Sequence, residues 1–155
     1  YSNNIRIVDS MPIPVCEFGR AHFSKCFKGE ASYGRCPSKK QTYFGFKFHA
    51  LTTIDGFLSD YIITPANVDD RNAVWDLCDK YKSISIIGDK GYVNKMLTPE
   101  LKVEMNINLL FLKHRNSKDN YLKDIRQLIF KARRRIETSF SQLVEQLNLN
   151  KVELQ

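Results

Sequence analysis

Three acidic residues lie where their carboxylates could bind a metal ion. Asp9 ends the segment Ile-Arg-Ile-Val-Asp, Asp89 ends Ser-Ile-Ile-Gly-Asp, and Glu137 follows Arg-Arg-Arg-Ile. The first two close short apolar runs, which is typical of residues that follow buried strands. Carboxylate oxygens are the ligands that Mg²⁺ prefers, and two such ions can hold the attacking and leaving oxygens of a phosphodiester. Taken together, the three residues predict a catalytic metal site that cuts or joins DNA.

Each of these residues has an ordinary alternative when it is considered alone. Asp9 and Asp89 could be turn residues after their strands, and Glu137 could form a surface ion pair with an arginine one helical turn earlier. Asp69 and Asp70 compete for a ligand role, but their place before a helical pattern favours helix capping.

The composition favours a polyanionic partner. The chain has 155 residues, with 24 Lys and Arg against 17 Asp and Glu, and a formal net charge of +7. A length of this order suits one domain, and we expect a single catalytic domain over residues 1–155. No apolar run approaches the roughly 20 residues that span a bilayer, so we expect no membrane partner and a cytoplasmic, nucleoid-associated protein.

The hydrophobic pattern predicts a mixed α/β fold. Asp55-Gly56 predicts a two-residue hairpin turn, and the elements after that hairpin alternate between strands and helices, as in a sheet flanked by helices. Residues 9 and 89 would end its two central strands, where open α/β sheets place their sites. The predicted strands are 4–9, 42–54, 57–64, 83–88 and 107–112. The predicted helices are one that follows capping residues at 67–70 and ends near residue 81, and two over 98–104 and 121–147.

Residues 10–41 form a long predicted connection that is rich in aromatic and basic residues. Aromatic side chains among cations are typical of nucleic-acid surfaces, and Lys39 and Lys40 are candidate DNA contacts. The alternative, which the sequence leaves open, is that the aromatic rings attach the loop to the core. Cys16, Cys26 and Cys36 lack the spacing of a zinc ribbon, so reduced thiols are expected.

Further cations are candidates for contacts with DNA phosphates. Four of them crowd one turn of the last predicted helix, where phosphates would relieve their mutual repulsion. By strand alternation Lys47 and His49 share one face, although His49 could equally be a core histidine. Lys90 could reach a phosphate or pair with a carboxylate. The four residues in the helix are Lys131, Arg133, Arg134 and Arg135.

The order of several short motifs resembles that of the DDE transposases of bacterial insertion sequences. The matching segments are Ile-Val-Asp-Ser (7–10), Gly-Phe-Lys-Phe-His-Ala (45–50), Thr-Pro-Ala-Asn-Val-Asp-Asp-Arg (64–71), Gly-Asp-Lys-Gly-Tyr (88–92) and Arg-Arg-Ile-Glu-Thr-Ser-Phe (134–140). The resemblance implies a ribonuclease H-like fold in which Asp9, Asp89 and Glu137 hold Mg²⁺ or Mn²⁺, with two ions in the site. It also implies DNA partners, namely element ends and target, and a homo-oligomer during transposition.

The chain departs from the family pattern in two ways. Some relatives have Tyr, Arg and Lys at fixed offsets around the glutamate, whereas this chain has Phe130, Arg133 and Val144, so only the arginine matches. The family also usually has an N-terminal DNA-binding region, which is absent here, so we expect a fragment. Two alternatives to a transposase catalytic core therefore stay open: a structure-specific nuclease on the same fold, and an inactive remnant that only binds DNA.

Overall fold

Two long strands pair at the centre of the sheet. The structure is a computed structural model that describes residues 4–36, 40–89, 92, 97–111 and 121–149. Strands β1 (Ile5–Glu17) and β3 (Gln41–Thr53) have 13 residues each and run antiparallel along most of their length. Because β3 supplies a partner for nearly every residue of β1, the pair fixes the register of the sheet.

Four shorter strands complete the mixed sheet. Its order is β2-β3-β1-β5-β6, and β4 also pairs with β3. The hairpin side is antiparallel, whereas β5 and β6 run parallel to β1. The remaining elements are β2 (Ser32–Cys36), β4 (Leu58–Pro65), β5 (Ser85–Gly88), β6 (Asn108–Phe111), a short 3-10 helix (Phe18–Arg20), and helices α1 (Asp70–Cys78), α2 (Leu97–Met105) and α3 (Lys123–Leu147).

Two hydrophobic cores lie on the two faces of this sheet. On the face that we call the α1/α2 face, Val8 and Ile86 pack with residues of helices α1 and α2, including Leu77 and Leu101. On the opposite face, the α3 face, the neighbouring strand residues pack against α3. This second core includes Ile7, Met11, Ile87, Ile129 and Ile136. The predicted fold class, a mixed sheet flanked by helices, is confirmed.

The predicted long connection over residues 10–41 is wrong in two places. Strand β1 does not end at Asp9 but continues to Glu17, and β2 forms within the predicted loop. Pro12 and Pro14 are residues that favour turns, yet strands tolerate proline at an unpaired edge. Here β5 pairs only with Ile5–Ile7, so among the described residues the outer edge of β1 has no partner strand at either proline.

The other predicted elements are present with small changes of boundary. At the hairpin the Gly56 amide donates to the Thr53 carbonyl at 3.0 Å, and the Thr53 amide donates to the Phe57 carbonyl at 2.8 Å. Gly56 has a φ of 93°. The loop therefore has three residues with glycine in the left-handed region, not the two predicted. None of the helices in the described part of the chain is long and apolar enough to cross a membrane.

Gly45 provides a test of the β1–β3 pairing. A Cβ atom at Gly45 would overlap the carbonyl oxygen of Ile13 and lie 2.8 Å from the backbone nitrogen of Val15. We expect Gly45→Ala to lower the free energy of unfolding by about 2 kcal/mol or more, because the crowding atoms belong to backbone. Urea denaturation measures this. Gly19→Ala is the control, since no atom lies within 4 Å of its Cβ position; equal effects of the two substitutions would contradict the pairing.

Candidate active site

Asp9 and Asp89 lie level with each other on neighbouring parallel strands. The last paired residues of β1 and β5 are Ile7 and Ile87. The same register continued by two residues places Asp9 opposite Asp89, at the point where the two strands cease to pair. Because side chains alternate along a strand, Asp9 shares the α3 face with Ile7. Asp9 is thus inside β1, not at its end as predicted, but it stands at the end of the β1–β5 pairing.

The carboxylate of Asp9 is held in an environment that disfavours its charge. Burial raises the pKa of Asp9 to about 6, the hydrogen bond from the Ser10 amide lowers it, and the charge of Asp89 raises it again. The Ser10 amide donates to Asp9 Oδ1 at 2.8 Å. The positive charge of Arg133 has the opposite effect and lowers the pKa of Asp9. A cation close to the two carboxylates would relieve their repulsion.

Arg133 forms an ion pair with Asp89. Its Nη1 atom lies 3.8 Å from Asp89 Oδ1, and 53% of the Asp89 side chain is exposed. Helix α3 sets this distance because Ile129 and Ile136, on either side of Arg133, are buried against the sheet. The charge of Asp89 is therefore stabilised by solvent and by an arginine on a packed helix.

Glu137 lies one helical turn after Arg133 and is exposed. Within the described ranges, no group of three or more His, Cys, Asp or Glu side chains is arranged to hold a metal ion. The structure thus brings Asp9 and Asp89 together without gathering Glu137 to them. Two carboxylates on adjacent strands do suit a hard cation, since oxygen ligands are the ones that Mg²⁺ and Mn²⁺ take.

A second carboxylate cluster lies across the sheet, on the α1/α2 face. Asp70 accepts a hydrogen bond from Lys47 Nζ at 2.7 Å and another from Ser10 Oγ at 3.3 Å. Asp69, not Asp70, is the N-cap of α1, and its side chain accepts from the Arg71 amide. Asp70 instead ties α1 to β1 and β3. This role was not predicted from the sequence, in which Asp70 was assigned to helix capping.

Two candidate DNA contacts belong to this opposite face. Lys47 is the ion-pair partner of Asp70. His49 is 0% exposed, and its Nε2 lies 2.9 Å from Thr64 Oγ1. Burial lowers the pKa of His49 to about 4, so the ring is neutral at pH 7. This buried, hydrogen-bonded position is the one that the core-histidine alternative describes, and contact between His49 and DNA stays a prediction.

The basic cluster on α3 divides between two flanks of the helix. Arg133 and Arg135 are two residues apart, which is a rotation of about 200° around a helix with 3.6 residues per turn. Arg133 meets Asp89, whereas Arg135 lies against the hairpin turn at Gly56, whose carbonyl accepts from Ser139 Oγ at 3.0 Å. On this second flank a cavity of about 490 Å³ is lined by Ile54, Asp55, Leu128, Lys131, Arg134, Arg135 and Thr138. We call it the hairpin cavity.

The remaining candidate cations are only partly covered by the structure. Lys40 is exposed at the start of β3. Lys39 and Lys90 lie outside the described residues. Their contacts with DNA stay predictions.

Comparison with known proteins places the chain in a family. A family model described as the transposase DDE domain matches residues 1–153. The chain belongs to this family. No curated protein sequence matches it.

One solved structure resembles this DDE domain. It is a cryo-EM structure of the piggyBac transposase synaptic complex with hairpin DNA, with 11% sequence identity and a TM-score of 0.47. The alignment covers 76% of this chain and 24% of that chain. The DDE domain described here thus spans about a quarter of that protein's length.

The raised pKa of Asp9 predicts that this residue destabilises the fold at neutral pH. Its folded pKa of about 6 lies above the ordinary value of 3.8, so the folded state binds the proton more tightly than the unfolded state. Stability is therefore lost as the pH rises from about 4 to about 6. Without metal ions at pH 7.5, we expect the free energy of unfolding of Asp9→Asn to be higher than that of the parent chain by at most about 3 kcal/mol. This limit is the difference between the folded and ordinary pKa values of Asp9, converted at about 1.36 kcal/mol per pKa unit. At pH 4 most of that difference should disappear.

Urea denaturation in a chelating buffer at the two pH values measures the effect. Asp76→Asn, at an exposed position of α1, is the matched control and should show no such pH dependence. A gain for Asp9→Asn that is the same at pH 4 and pH 7.5 would contradict the assigned burial of the charge.

Proposed function

We propose that this DDE domain is the catalytic core of a transposase that hydrolyses phosphodiesters at the ends of a DNA element. The freed 3′-hydroxyl then attacks target DNA in the same site. The observation that carries the proposal is the level position of Asp9 and Asp89 on adjacent parallel strands, with Arg133 of α3 beside them. Family membership supports the reaction class.

The chain's own residues would do three things in this site. Asp9 and Asp89 would hold Mg²⁺ or Mn²⁺, and Glu137, which is not gathered to them in this structure, would have to approach them to serve as the third ligand. When bound, such ions supply positive charge at the attacking and leaving oxygens of the phosphodiester. Arg133 would orient the Asp89 carboxylate and offer its remaining N–H donors to a phosphate oxygen, as an arginine fork does well.

DNA contacts outside this site would come from the cations of the hairpin cavity. Lys131, Arg134 and Arg135 line a concave surface whose size is sufficient for a phosphate group. Such contacts give affinity and register without reading sequence. The net charge of +7 favours the same partner. Action on two element ends would require more than one copy of the chain.

Asp89→Asn separates catalysis from binding. The substitution keeps the side-chain size but removes a negative charge, so metal affinity should fall while repulsion of DNA phosphates decreases. With Mg²⁺ or Mn²⁺ and supercoiled plasmid, we expect nicking to fall to background while DNA affinity holds or rises. Gel assays of nicked and joined products, with filter binding for affinity, measure both quantities.

Asp76→Asn is again the control and should nick as the parent chain does. Undiminished nicking by Asp89→Asn would remove Asp89 from the site. Nicking without joined products would instead identify a nuclease on this fold, and DNA binding without any metal-dependent nicking in the parent chain would identify an inactive remnant.

The hairpin cavity can be tested through the salt dependence of binding. Each phosphate contact on duplex DNA contributes about 0.9 to the slope of log affinity against log salt. We expect the double variant Lys131→Ala/Arg134→Ala to lower that slope by about two units, equally for unrelated sequences. Lys82→Ala/Lys102→Ala removes two exposed cations elsewhere and should leave the slope close to its parent value. An unchanged slope in the first variant would assign the cations to a solvated surface.

A further inference from the structure

Four exposed aromatic residues lie in the segment that runs from the end of β1 into β2. Phe18, Phe27 and Tyr33 are each more than two-fifths exposed, and Phe23 is 87% exposed. We call these four residues the aromatic platform. Large apolar side chains exposed together in one place usually mark a binding surface.

Part of this platform is attached to the sheet through ring contacts. The Tyr33 ring meets the Phe18 ring at 5.5 Å and the Phe44 ring at 5.1 Å, and the Phe27 ring meets the Phe46 ring at 5.4 Å, all edge to face. These contacts attach the segment to the sheet, which agrees with the alternative that the aromatic rings attach the loop to the core. They leave Phe23 unexplained, because a ring that is almost fully exposed contributes little to a core.

The backbone that presents these rings is held in a costly conformation. Phe27 has a φ of 53°, which bulky residues rarely adopt. The Ala31 amide donates to the Phe27 carbonyl at 2.9 Å, and the Phe23 amide donates to the Arg20 carbonyl at 3.0 Å. Strain of this kind persists where the surroundings fix it, and it concentrates at binding and catalytic sites.

Cations lie among the exposed rings in the sequence, together with the exposed acidic residues Glu17 and Glu30. Arg20, Lys25 and Lys28 are exposed, and none of them forms an ion pair with another residue in the described part of the chain. Stacking rings combined with cations that can follow a phosphate backbone are the features of single-strand binding surfaces. This charge pattern favours DNA over an apolar protein partner.

The platform rings that contact β3, those of Phe27 and Tyr33, lie on the same face of the sheet as the candidate active site. Phe44 and Phe46 alternate with Phe48, which belongs to the core under α3, and Ile13 of β1 pairs with Phe46. Ile13 is four strand residues from Asp9, or about 13 Å at 3.3 Å per residue. That distance is about four steps along a DNA strand at 3.4 Å each.

We propose that the aromatic platform binds unpaired nucleotides of a DNA strand by stacking their bases on Phe23 and its neighbours. The proposal rests on the proposed function, because it takes DNA as the substrate. It adds that this chain distinguishes a strand with unpaired bases from intact duplex, on the sheet face that also carries Asp9.

The test compares the binding of single-stranded and duplex DNA by the full chain in a chelating buffer. A 12-nucleotide single strand containing 2-aminopurine reports both affinity and stacking, and a duplex of the same sequence is the reference. We expect Phe23→Ala and Phe23→Leu to weaken single-strand binding about tenfold and to abolish the stacking signal. Phe23→Trp should retain both, and duplex affinity should change less than twofold in every variant.

Val103→Ala, at another strongly exposed apolar position, is the control and should bind as the parent chain does. The double variant Lys25→Ala/Lys28→Ala should lower the single-strand salt slope by about 1.4, at about 0.7 per contact. Equal single-strand affinity in the parent chain and Phe23→Ala would overturn the proposal. So would sedimentation showing that Phe23→Ala only dissociates an oligomer, since that result identifies a protein interface.

Failure of this proposal can be distinguished from failure of the proposed function. No metal is present in the binding test, so a chain without nicking activity can still show the dependence on Phe23. Suppose that metal-dependent nicking is lost in Asp89→Asn while single-strand binding does not depend on Phe23. That result would contradict the role of the aromatic platform and would support the catalytic role of Asp89.

Discussion

The antiparallel pairing of β1 with β3 is the interaction on which the rest of the structure depends. β3 is paired on both edges, with β1 on one edge and with β2 and then β4 on the other. On one edge, β1 pairs with β3 along nearly its whole length. On the other edge, β5 pairs with only three residues of β1. The sheet therefore opens on the β5 side immediately after Ile7. The backbone of Asp9 is fixed by pairing with β3, while its other edge is not covered by β5, whose pairing with β1 ends at Ile7.

This opening brings two like charges together. Strand register places Asp9 beside Asp89, and burial raises the pKa of Asp9 well above its ordinary value. Arg133 offsets part of the repulsion, but it is 3.8 Å from one Asp89 oxygen and makes a loose ion pair. Arrangements that cost stability in the free protein are common at catalytic centres, where a ligand supplies the missing charge.

Helix α3 carries both Arg133, which meets Asp89, and the cations that line the hairpin cavity. Its buried stripe, which includes Ile129, Ala132, Ile136 and Phe140, is fixed against the sheet. One flank then presents Arg133 to Asp89, while the other presents Arg135 and Ser139 to the hairpin turn. Because one continuous helix carries both flanks, a change in its packing would move the arginine at the carboxylates and the hairpin cavity together.

The sequence by itself determined the α/β class, most helix and strand positions, and the acidic residues of interest. Apolar periodicity carries that information locally, as in the stripe of α3 and the isoleucines before Asp89. The sequence also determined the family resemblance, because the order of several short motifs indicates the family even though each motif alone is weak evidence. What it misjudged was the segment after Asp9, because the prolines at 12 and 14 read as turn signals without knowledge of the free edge.

Only the tertiary structure decided which of the candidate residues meet. The level position of Asp9 and Asp89 depends on the register between strands that are about eighty residues apart in the chain. Lys47 and His49 lie on the opposite face of the sheet from Asp9, because side chains alternate between the two faces along each strand. Arg133 and Arg135, two residues apart, face different partners because the packing of α3 sets its rotation. These are long-range constraints, and local sequence pattern carries no record of a partner strand's register or of the angle at which a helix docks.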